Sequence, residues 1–89
     1  MLTRTTRIVN KLGLHARPSA MLVTAASKHE SEVYFTKDTL RVNGKSIMGV
    51  MMLAAEKGAE LTVEVQGPDE TAAMAEIIGV IESGFGEND

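Results

Sequence analysis

Alternating apolar and polar residues predict four β-strands along the chain. The clearest lies at residues 61–66, where Leu and Val alternate with Thr, Glu and Gln before a Gly-Pro pair. Residues 3–9 carry a weaker mixture of Thr, Arg, Ile and Val, which predicts a first strand. Residues 32–36 and 40–42 repeat the alternation on either side of the polar Lys37-Asp38 turn, so they are expected to form a hairpin.

Apolar residues at three- and four-residue spacing predict two helices in the first two thirds of the chain. The first is expected at residues 16–29. The second is expected at residues 47–55, with Ser46 as its N-cap and Gly58 as a left-handed stop. The Asn43-Gly44 pair is also a hairpin signal that would place Ser46 in a strand, but the unbroken apolar run favours the helix.

A third helix is expected after Asp69, a candidate N-cap, and before Gly84 and Gly86, where the helical spacing stops. The element order is then β-α-β-β-α-β-α, and strands with one apolar face need helices to cover that face. The predicted fold is therefore α+β, a single domain over residues 1–89 in which three helices cover one face of a four-stranded antiparallel sheet. Residues 86–89 have the composition of a loose terminus.

Composition and charge exclude several classes of function. The chain has 89 residues, 44% hydrophobic and 24% charged, which fits one globular domain. Two Phe, one Tyr, no Trp and a net charge of -3 argue against nucleic-acid binding, and the absence of cysteine excludes disulfides and zinc-thiolate sites. The carboxylates have no obvious metal-ligand spacing, so no metal or cofactor is expected. Without a signal peptide, a membrane-length apolar stretch or a pattern that demands an oligomer, we expect a cytoplasmic monomer with no membrane insertion.

His15 is the residue best placed for chemistry. It stands between a glycine-containing loop and the first turn of a predicted helix, in Gly13-Leu14-His15-Ala16-Arg17-Pro18. A helix N-terminus favours an anion and disfavours a protonated ring, so a neutral, nucleophilic imidazole is expected there. Arg17 offers a guanidinium that matches phosphate oxygens, and Pro18 leaves the amides of Ala16 and Arg17 free to bind an anion.

Structural interpretations compete with these chemical ones. Two histidines without cysteine assemble no catalytic dyad or triad, so a self-sufficient enzyme is not expected. A histidine at a helix start is more often a solvated structural residue, and spacing alone does not separate that interpretation from phosphoryl binding at His15. His29, with no basic or phosphate-binding neighbours, is assigned a structural role. Ser46 is explained by helix capping alone, although a kinase could also reach its hydroxyl.

The predicted second helix is apolar around most of its circumference. Its apolar residues are Ile47, Met48, Val50, Met51, Met52 and Leu53. One sheet cannot bury every side of a short helix, so part of this run is expected to form an exposed docking patch. Val50 and Leu53 are expected in the core and Met48 and Met51 at the surface, with core packing an equal alternative for any one of them.

Residues 13–19, with the sequence Gly-Leu-His-Ala-Arg-Pro-Ser, and residues 45–51, with the sequence Lys-Ser-Ile-Met-Gly-Val-Met, together resemble the two signatures of the HPr family. These proteins are the histidine-containing phosphocarriers of the bacterial phosphoenolpyruvate-dependent sugar phosphotransferase system. The resemblance covers essentially the whole chain, including the element order. It implies an open-faced β-sandwich and a phosphoryl carrier rather than an enzyme.

The resemblance also implies a role for each matched residue. His15 would accept a phosphoryl group on Nδ1 from phosphorylated enzyme I and pass it to the A domains of sugar-specific enzymes II. Arg17 would support the phosphohistidine and the transfer; the backbone amides of Ala16 and Arg17 are expected to bind the phosphate because of their position at the helix start. Ser46 would be the regulatory serine, modified by an HPr kinase/phosphorylase in lineages that have one. Ile47, Met48 and Met51 would match the hydrophobic docking face, and we also expect Leu14, Ala20 and Met52 to take part in docking.

A regulatory binding module is the alternative function. In that case phosphorylation of Ser46 and partner docking would be the main activity, without sugar transport. Paralogues of the nitrogen-related branch keep the histidine, whereas another paralogue acts in carbon catabolite regulation after losing it, so the presence of His15 argues against the latter. Residues 34–43 and Met52 differ from familiar members, which leaves open the sugars or regulators that are served.

Overall fold

The chain folds into four strands and three helices in the predicted order. The computed structural model describes residues 1–87. Its elements are β1 (Leu2–Arg7), α1 (Ala16–Ser27), β2 (Glu32–Lys37), β3 (Leu40–Asn43), α2 (Ile47–Met52), β4 (Glu60–Gln66), α3 (Glu70–Glu82) and a 3-10 turn at Gly84–Gly86. The strands form one antiparallel sheet in the order β1-β4-β2-β3. The predicted α+β fold is therefore confirmed.

The core lies between the sheet and the helices. In β4 the side chains of Leu61, Val63 and Val65 are completely buried, whereas the residues between them are partly exposed. Their burial follows from the period-two alternation seen in the sequence. From α3, the buried residues are Ala73, Met74, Ile77, Ile78 and Ile81. Each large apolar side chain buried here contributes about 1.5–3 kcal/mol, so this layer holds α3 on the sheet.

The second helix is shorter than predicted, and a residue other than Gly58 takes the left-handed conformation after it. It stops at Met52, and Ala54 then adopts a left-handed φ of 47°. The prediction that Gly58 ends this helix is wrong, because Gly58 lies in the turn that leads into β4. The N-cap prediction is confirmed, since the Ser46 hydroxyl accepts the N–H of Gly49 at 3.1 Å.

The other two helices differ from the prediction at one end each. α1 ends at Ser27 instead of residue 29, because the N–H groups of Lys28 and His29 bond to carbonyls three residues back in a tighter turn. Asp69 stands at the N-cap of α3, but its side chain makes no capping hydrogen bond. Its carboxylate accepts instead from the backbone and hydroxyl of Ser31, which ties the start of α3 to the chain that enters β2.

Candidate functional site

His15 lies in the loop between β1 and α1, directly before the first helical residue. Its backbone is extended (φ -82°, ψ -169°) and its carbonyl accepts the N–H of Ser19 at 3.0 Å, so it is the N-cap of α1. The His15 side chain makes no capping hydrogen bond and is 37% exposed. The fold thus places an imidazole at the helix start with part of its ring open to solvent.

Backbone hydrogen bonds hold the loop that precedes His15. Gly13 has a φ of 69°, and its N–H donates to the carbonyl of Asn10 at 3.2 Å. A Cβ at Gly13 would collide with the carbonyl of Ala55. That same carbonyl accepts the N–H of Leu14 at 2.8 Å. The loop is therefore fixed against the segment that follows α2.

Leu14 is not part of an exposed docking face. It is 5% exposed and belongs to the core cluster. The prediction that placed Leu14 among the docking residues therefore needs correction. The hydrogen bond from its N–H to the carbonyl of Ala55 holds the backbone against the segment that follows α2. The apolar side chain is then buried in the core cluster.

Exposed apolar side chains lie on α2 and in the loop before His15. On α2, Val50 and Leu53 are buried as expected. The other apolar residues of the run, which we call the α2 patch, are exposed: Ile47, Met48, Met51 and Met52. Leu12, which sequence reasoning did not single out, is also exposed, and Ala20 on α1 is half-buried. α2 contacts α1, so the helix that carries the α2 patch packs beside the helix that His15 caps.

The first turn of α1 has backbone amides without partners. Among residues 1–87, the N–H groups of Ala16 and Arg17 donate no hydrogen bond. Pro18 has no N–H to satisfy. The Arg17 guanidinium donates to the carbonyl of Phe85 at 3.2 Å and is more than half exposed. Orphan amides at a helix start together with a guanidinium favour an anion.

Sequence reasoning missed Glu87, which contacts the imidazole. Oε2 of Glu87 lies 2.8 Å from Nε2 of His15 and 3.5 Å from Nη1 of Arg17. Glu87 falls in the segment whose composition suggested a loose terminus, yet its carboxylate is hydrogen-bonded, and Gly86 closes the 3-10 turn. Asn88 and Asp89, the rest of that segment, lie outside the described residues. A contact 72 residues apart in sequence leaves no local pattern that could have revealed it.

Asn10 is the second residue that sequence reasoning missed. It is 1% exposed, and its Nδ2 donates to Oε1 of Glu87 and to the carbonyl of Gly13, both at 2.9 Å. The hydrogen bond from Asn10 is the main reason that the pKa of Glu87 lies below its usual range, and His15 and Arg17 lower it further. Glu87 is therefore ionised at neutral pH. A polar residue in a turn was the only sequence signal for Asn10.

The two ring nitrogens of His15 have different surroundings. Nε2 faces the Glu87 carboxylate, whereas Nδ1 makes no hydrogen bond among the described residues. An ionised carboxylate has no proton to donate, so Nε2 carries the proton of their hydrogen bond. In the neutral ring this leaves the lone pair on Nδ1. The site thus offers an unpaired ring nitrogen on the residue that caps the start of α1.

His29 has no free ring nitrogen. Its Nδ1 lies 3.1 Å from Asp69 and its Nε2 lies 2.8 Å from Glu76, and the side chain is 14% exposed. Both nitrogens are thus hydrogen-bonded to carboxylates, and these contacts join the end of α1 to α3. This geometry agrees with the structural role assigned to His29.

The described residues contain neither a metal-binding cluster nor a membrane-spanning helix. Within residues 1–87, no cluster of three or more His, Cys, Asp or Glu side chains is arranged to hold a metal ion. The same residues contain no helix that is both long and apolar enough to cross a membrane.

The fold and the site define a class of protein: a small α+β domain that presents one accessible imidazole at a helix N-terminus. Comparison with known families agrees with this class. Residues 2–83 match the family model described as the PTS HPr component phosphorylation site. The chain belongs to the HPr family of phosphocarrier proteins of the phosphotransferase system, which are carriers rather than catalytic enzymes.

Relatives and solved structures support this assignment over the full length. The chain is 51% identical over 89 residues to the phosphocarrier protein HPr of Neisseria meningitidis serogroup A, covering all of both chains. It is 42% identical over 82 residues to the HPr-like protein Crh of Halalkalibacterium halodurans, covering 92% of this chain and 98% of that one. The crystal structure of HPr-C-His from Thermoanaerobacter tengcongensis superposes with a TM-score of 0.96 at 44% identity, covering both chains completely.

Proposed function

We propose that this protein is a cytoplasmic carrier that accepts a phosphoryl group on Nδ1 of His15 from phosphorylated enzyme I. It then passes the group to the A domains of sugar-specific enzymes II. The observation that carries the proposal is the asymmetry of the ring: Nε2 is paired with the ionised Glu87, whereas Nδ1 has no partner among residues 1–87. Family membership supports the same role.

The transfer step requires little of the carrier beyond position and charge. The lone pair on Nδ1 of His15 forms the new N–P bond while the bond from phosphorus to the donor breaks and its electron pair returns to the donor. We expect the amides of Ala16 and Arg17, which donate no hydrogen bond among residues 1–87, and the exposed Arg17 guanidinium to bind the phosphoryl oxygens. The partner supplies the aligned donor, so docking provides most of the rate enhancement.

Labelling by phosphoenolpyruvate and enzyme I tests the proposal. The parent protein should become an acid-labile phosphoprotein whose phosphorus spectrum shows the phosphoryl group on Nδ1. His15→Ala should take up no label, whereas His29→Gln, which removes the other histidine, should be labelled like the parent. Equal labelling of His15→Ala and the parent would disprove the assignment.

We also propose that Ser46 is a regulatory phosphorylation site. Its hydroxyl caps α2 and is half-buried next to the exposed Ile47 and Met48. A phosphoserine there would add about two negative charges beside the α2 patch while keeping an anion at a helix start, so the fold should persist and docking should weaken. The similarity to Crh, the Bacillus subtilis catabolite repression HPr, supports a regulatory function.

Labelling with an ATP-dependent HPr kinase distinguishes a regulated phosphoryl carrier from a regulatory binding module. The kinase should label the parent but not Ser46→Ala, and the labelled parent should accept phosphate from enzyme I more slowly than the unmodified protein. A parent that the kinase labels and enzyme I does not would favour the alternative, a regulatory binding module.

A further inference from the structure

We propose that Glu87, held in place by Asn10, is a positioning residue for His15 that keeps the ring proton on Nε2 and presents Nδ1 to the phosphoryl group. The inference rests on the proposed function, because it concerns the acceptor residue of that function. It adds a tautomer-setting group that lies at the opposite end of the sequence, 72 residues away.

The first step of the argument is the chemistry of the contact. An ionised carboxylate only accepts hydrogen bonds, and Oε2 of Glu87 lies 2.8 Å from Nε2 of His15. The pKa of Glu87 is lowered chiefly by its hydrogen bond from Asn10, so the carboxylate stays ionised when the ring is neutral. The neutral ring therefore prefers the proton on Nε2, in the way that a carboxylate sets the tautomer of metal-binding histidines.

The second step is that the carboxylate is itself held. Oε1 of Glu87 accepts from the buried Asn10, which also donates to Gly13 in the loop before His15. The Glu87 N–H donates to the carbonyl of Gly84 at 3.0 Å, which fixes the backbone of residues 84–87, called the tail below. Arg17 donates to the tail carbonyl of Phe85 from the α1 side. The tail, the loop and the helix start thus form one connected group.

The third step concerns charge during the reaction. When Nδ1 of His15 bonds to phosphorus, the proton on Nε2 stays where it is, so no proton has to leave the ring. The imidazole ring then gains positive charge, which is delocalised over both nitrogens. The carboxylate of Glu87 faces one of them, Nε2. A fixed anion at that position stabilises the charge that develops in the transition state.

The experiment compares Glu87→Gln with the matched control Glu82→Gln. Glu82 is exposed on α3, and its carboxylate makes no hydrogen bond or ion pair within the described part of the chain. In unphosphorylated, 15N-histidine-labelled protein, long-range nitrogen–proton correlations show which His15 nitrogen carries the proton. We expect the Nε2–H form in the parent and in Glu82→Gln, and a mixture with the Nδ1–H form in Glu87→Gln, because an amide can donate as well as accept.

Kinetics supply the second measurement. For transfer from phosphorylated enzyme I, Glu87→Gln should lower kcat by about tenfold, the lower end of the effect of removing a carboxylate behind a histidine ligand. The KM should change little, because the Glu87 side chain contacts the imidazole and is only 17% exposed, which leaves little of it for a partner to touch. Glu87→Asp should recover part of the lost kcat, and Glu82→Gln should match the parent.

The outcomes separate this inference from the proposed function. An Nδ1–H tautomer in the parent, or a Glu87→Gln protein that equals the parent in tautomer and kcat, would overturn the positioning role while His15 labelling stands. A tautomer change in Glu87→Gln with no labelling of the parent by enzyme I would support the positioning role and reject the carrier function.

Discussion

At the scale of single residues, the site depends on the backbone of Gly13. Its left-handed φ and its distance from Ala55 leave no room for a side chain, although its role is only to lead the chain into His15. The Asn10 side chain then joins this turn to Glu87. A residue with no chemistry of its own therefore controls the position of the imidazole.

Replacing Gly13 by Ala tests this control. Gly58 is the matched control, since it has a φ of 88° but nothing within 4 Å of an added Cβ. Gly58→Ala should cost about 1–2 kcal/mol of unfolding free energy for the left-handed backbone alone. Gly13→Ala should cost a further ~1–3 kcal/mol for the collision with Ala55 and should slow labelling of His15. Equal urea midpoints for the two variants would contradict this account.

At the scale of secondary-structure elements, a charged junction joins the end of α1 and the start of β2 to α3. His29 lies between Asp69 and Glu76, and Glu76 also accepts from Lys28 at 2.9 Å. Lys45 donates to the carbonyl of His29 at 2.7 Å. These contacts take the place of the side-chain cap that the sequence predicted at Asp69.

The junction gives stability a defined pH dependence. The hydrogen bond to Glu76 is the main reason that the pKa of His29 is raised above 6.5, and Asp69 adds to it. The pKa of Glu76 is lowered below 4.5, chiefly by Lys28, and that of Asp69 is also lowered, chiefly by the Ser31 hydroxyl. The histidine contribution is therefore complete below pH 6.5 and is lost as the pH rises through the folded-state pKa. The carboxylate contributions are present at higher pH and are lost in acid.

Urea unfolding between pH 6 and pH 9 measures the histidine contribution. The parent should lose unfolding free energy as the pH rises, because the folded state binds more protons than the unfolded state in this range. His29→Gln should be less stable at pH 6 and show a flatter profile. Glu30→Gln, which removes a neighbouring exposed carboxylate that makes no side-chain hydrogen bond among residues 1–87, should keep the parent slope. Parallel profiles for His29→Gln and the parent would show that the junction does not titrate as described.

At the scale of the whole molecule, the proposed phosphoryl acceptor and the α2 patch lie on different elements. The loop before α1 presents His15, whereas α2, which contacts α1, presents the exposed methionines. Val50 and Leu53 anchor α2 in the core, so its outer residues can vary without loss of the fold. The sheet serves as the common support of both.

A charged residue introduced into the α2 patch distinguishes an effect on docking from an effect on folding. Met48 is 73% exposed, so Met48→Glu should change the unfolding free energy by less than about 0.5 kcal/mol. If partners dock on this patch, the KM for phosphorylated enzyme I should rise about tenfold, or ~1.4 kcal/mol, with kcat nearly unchanged. Thr39→Glu places the same charge in the β2–β3 turn, at the far end of β3 from α2, and should leave the KM unchanged. A KM for Met48→Glu equal to that of the parent would remove the patch from the interface.

Much of the fold follows from local patterns. The alternation at residues 61–66 and the spacing of the third helix predicted β4 and α3 because side-chain direction repeats with a period of two or 3.6 residues. The Lys37-Asp38 turn and the Ser46 cap were predictable for the same reason, since each depends on neighbours in sequence. The end of α2 was not, because Ala54 takes the left-handed conformation although Gly58 suits it better.

The sequence by itself determined the element order, the buried face of each strand and helix, and the position of a histidine at a helix start. Tertiary structure alone decided that Leu14 turns into the core and that Glu87 reaches His15. It also gave His29 its two carboxylates. The physical reason is that propensity and periodicity act between neighbours in the chain, whereas these contacts join residues that meet only after the helices have packed on the sheet.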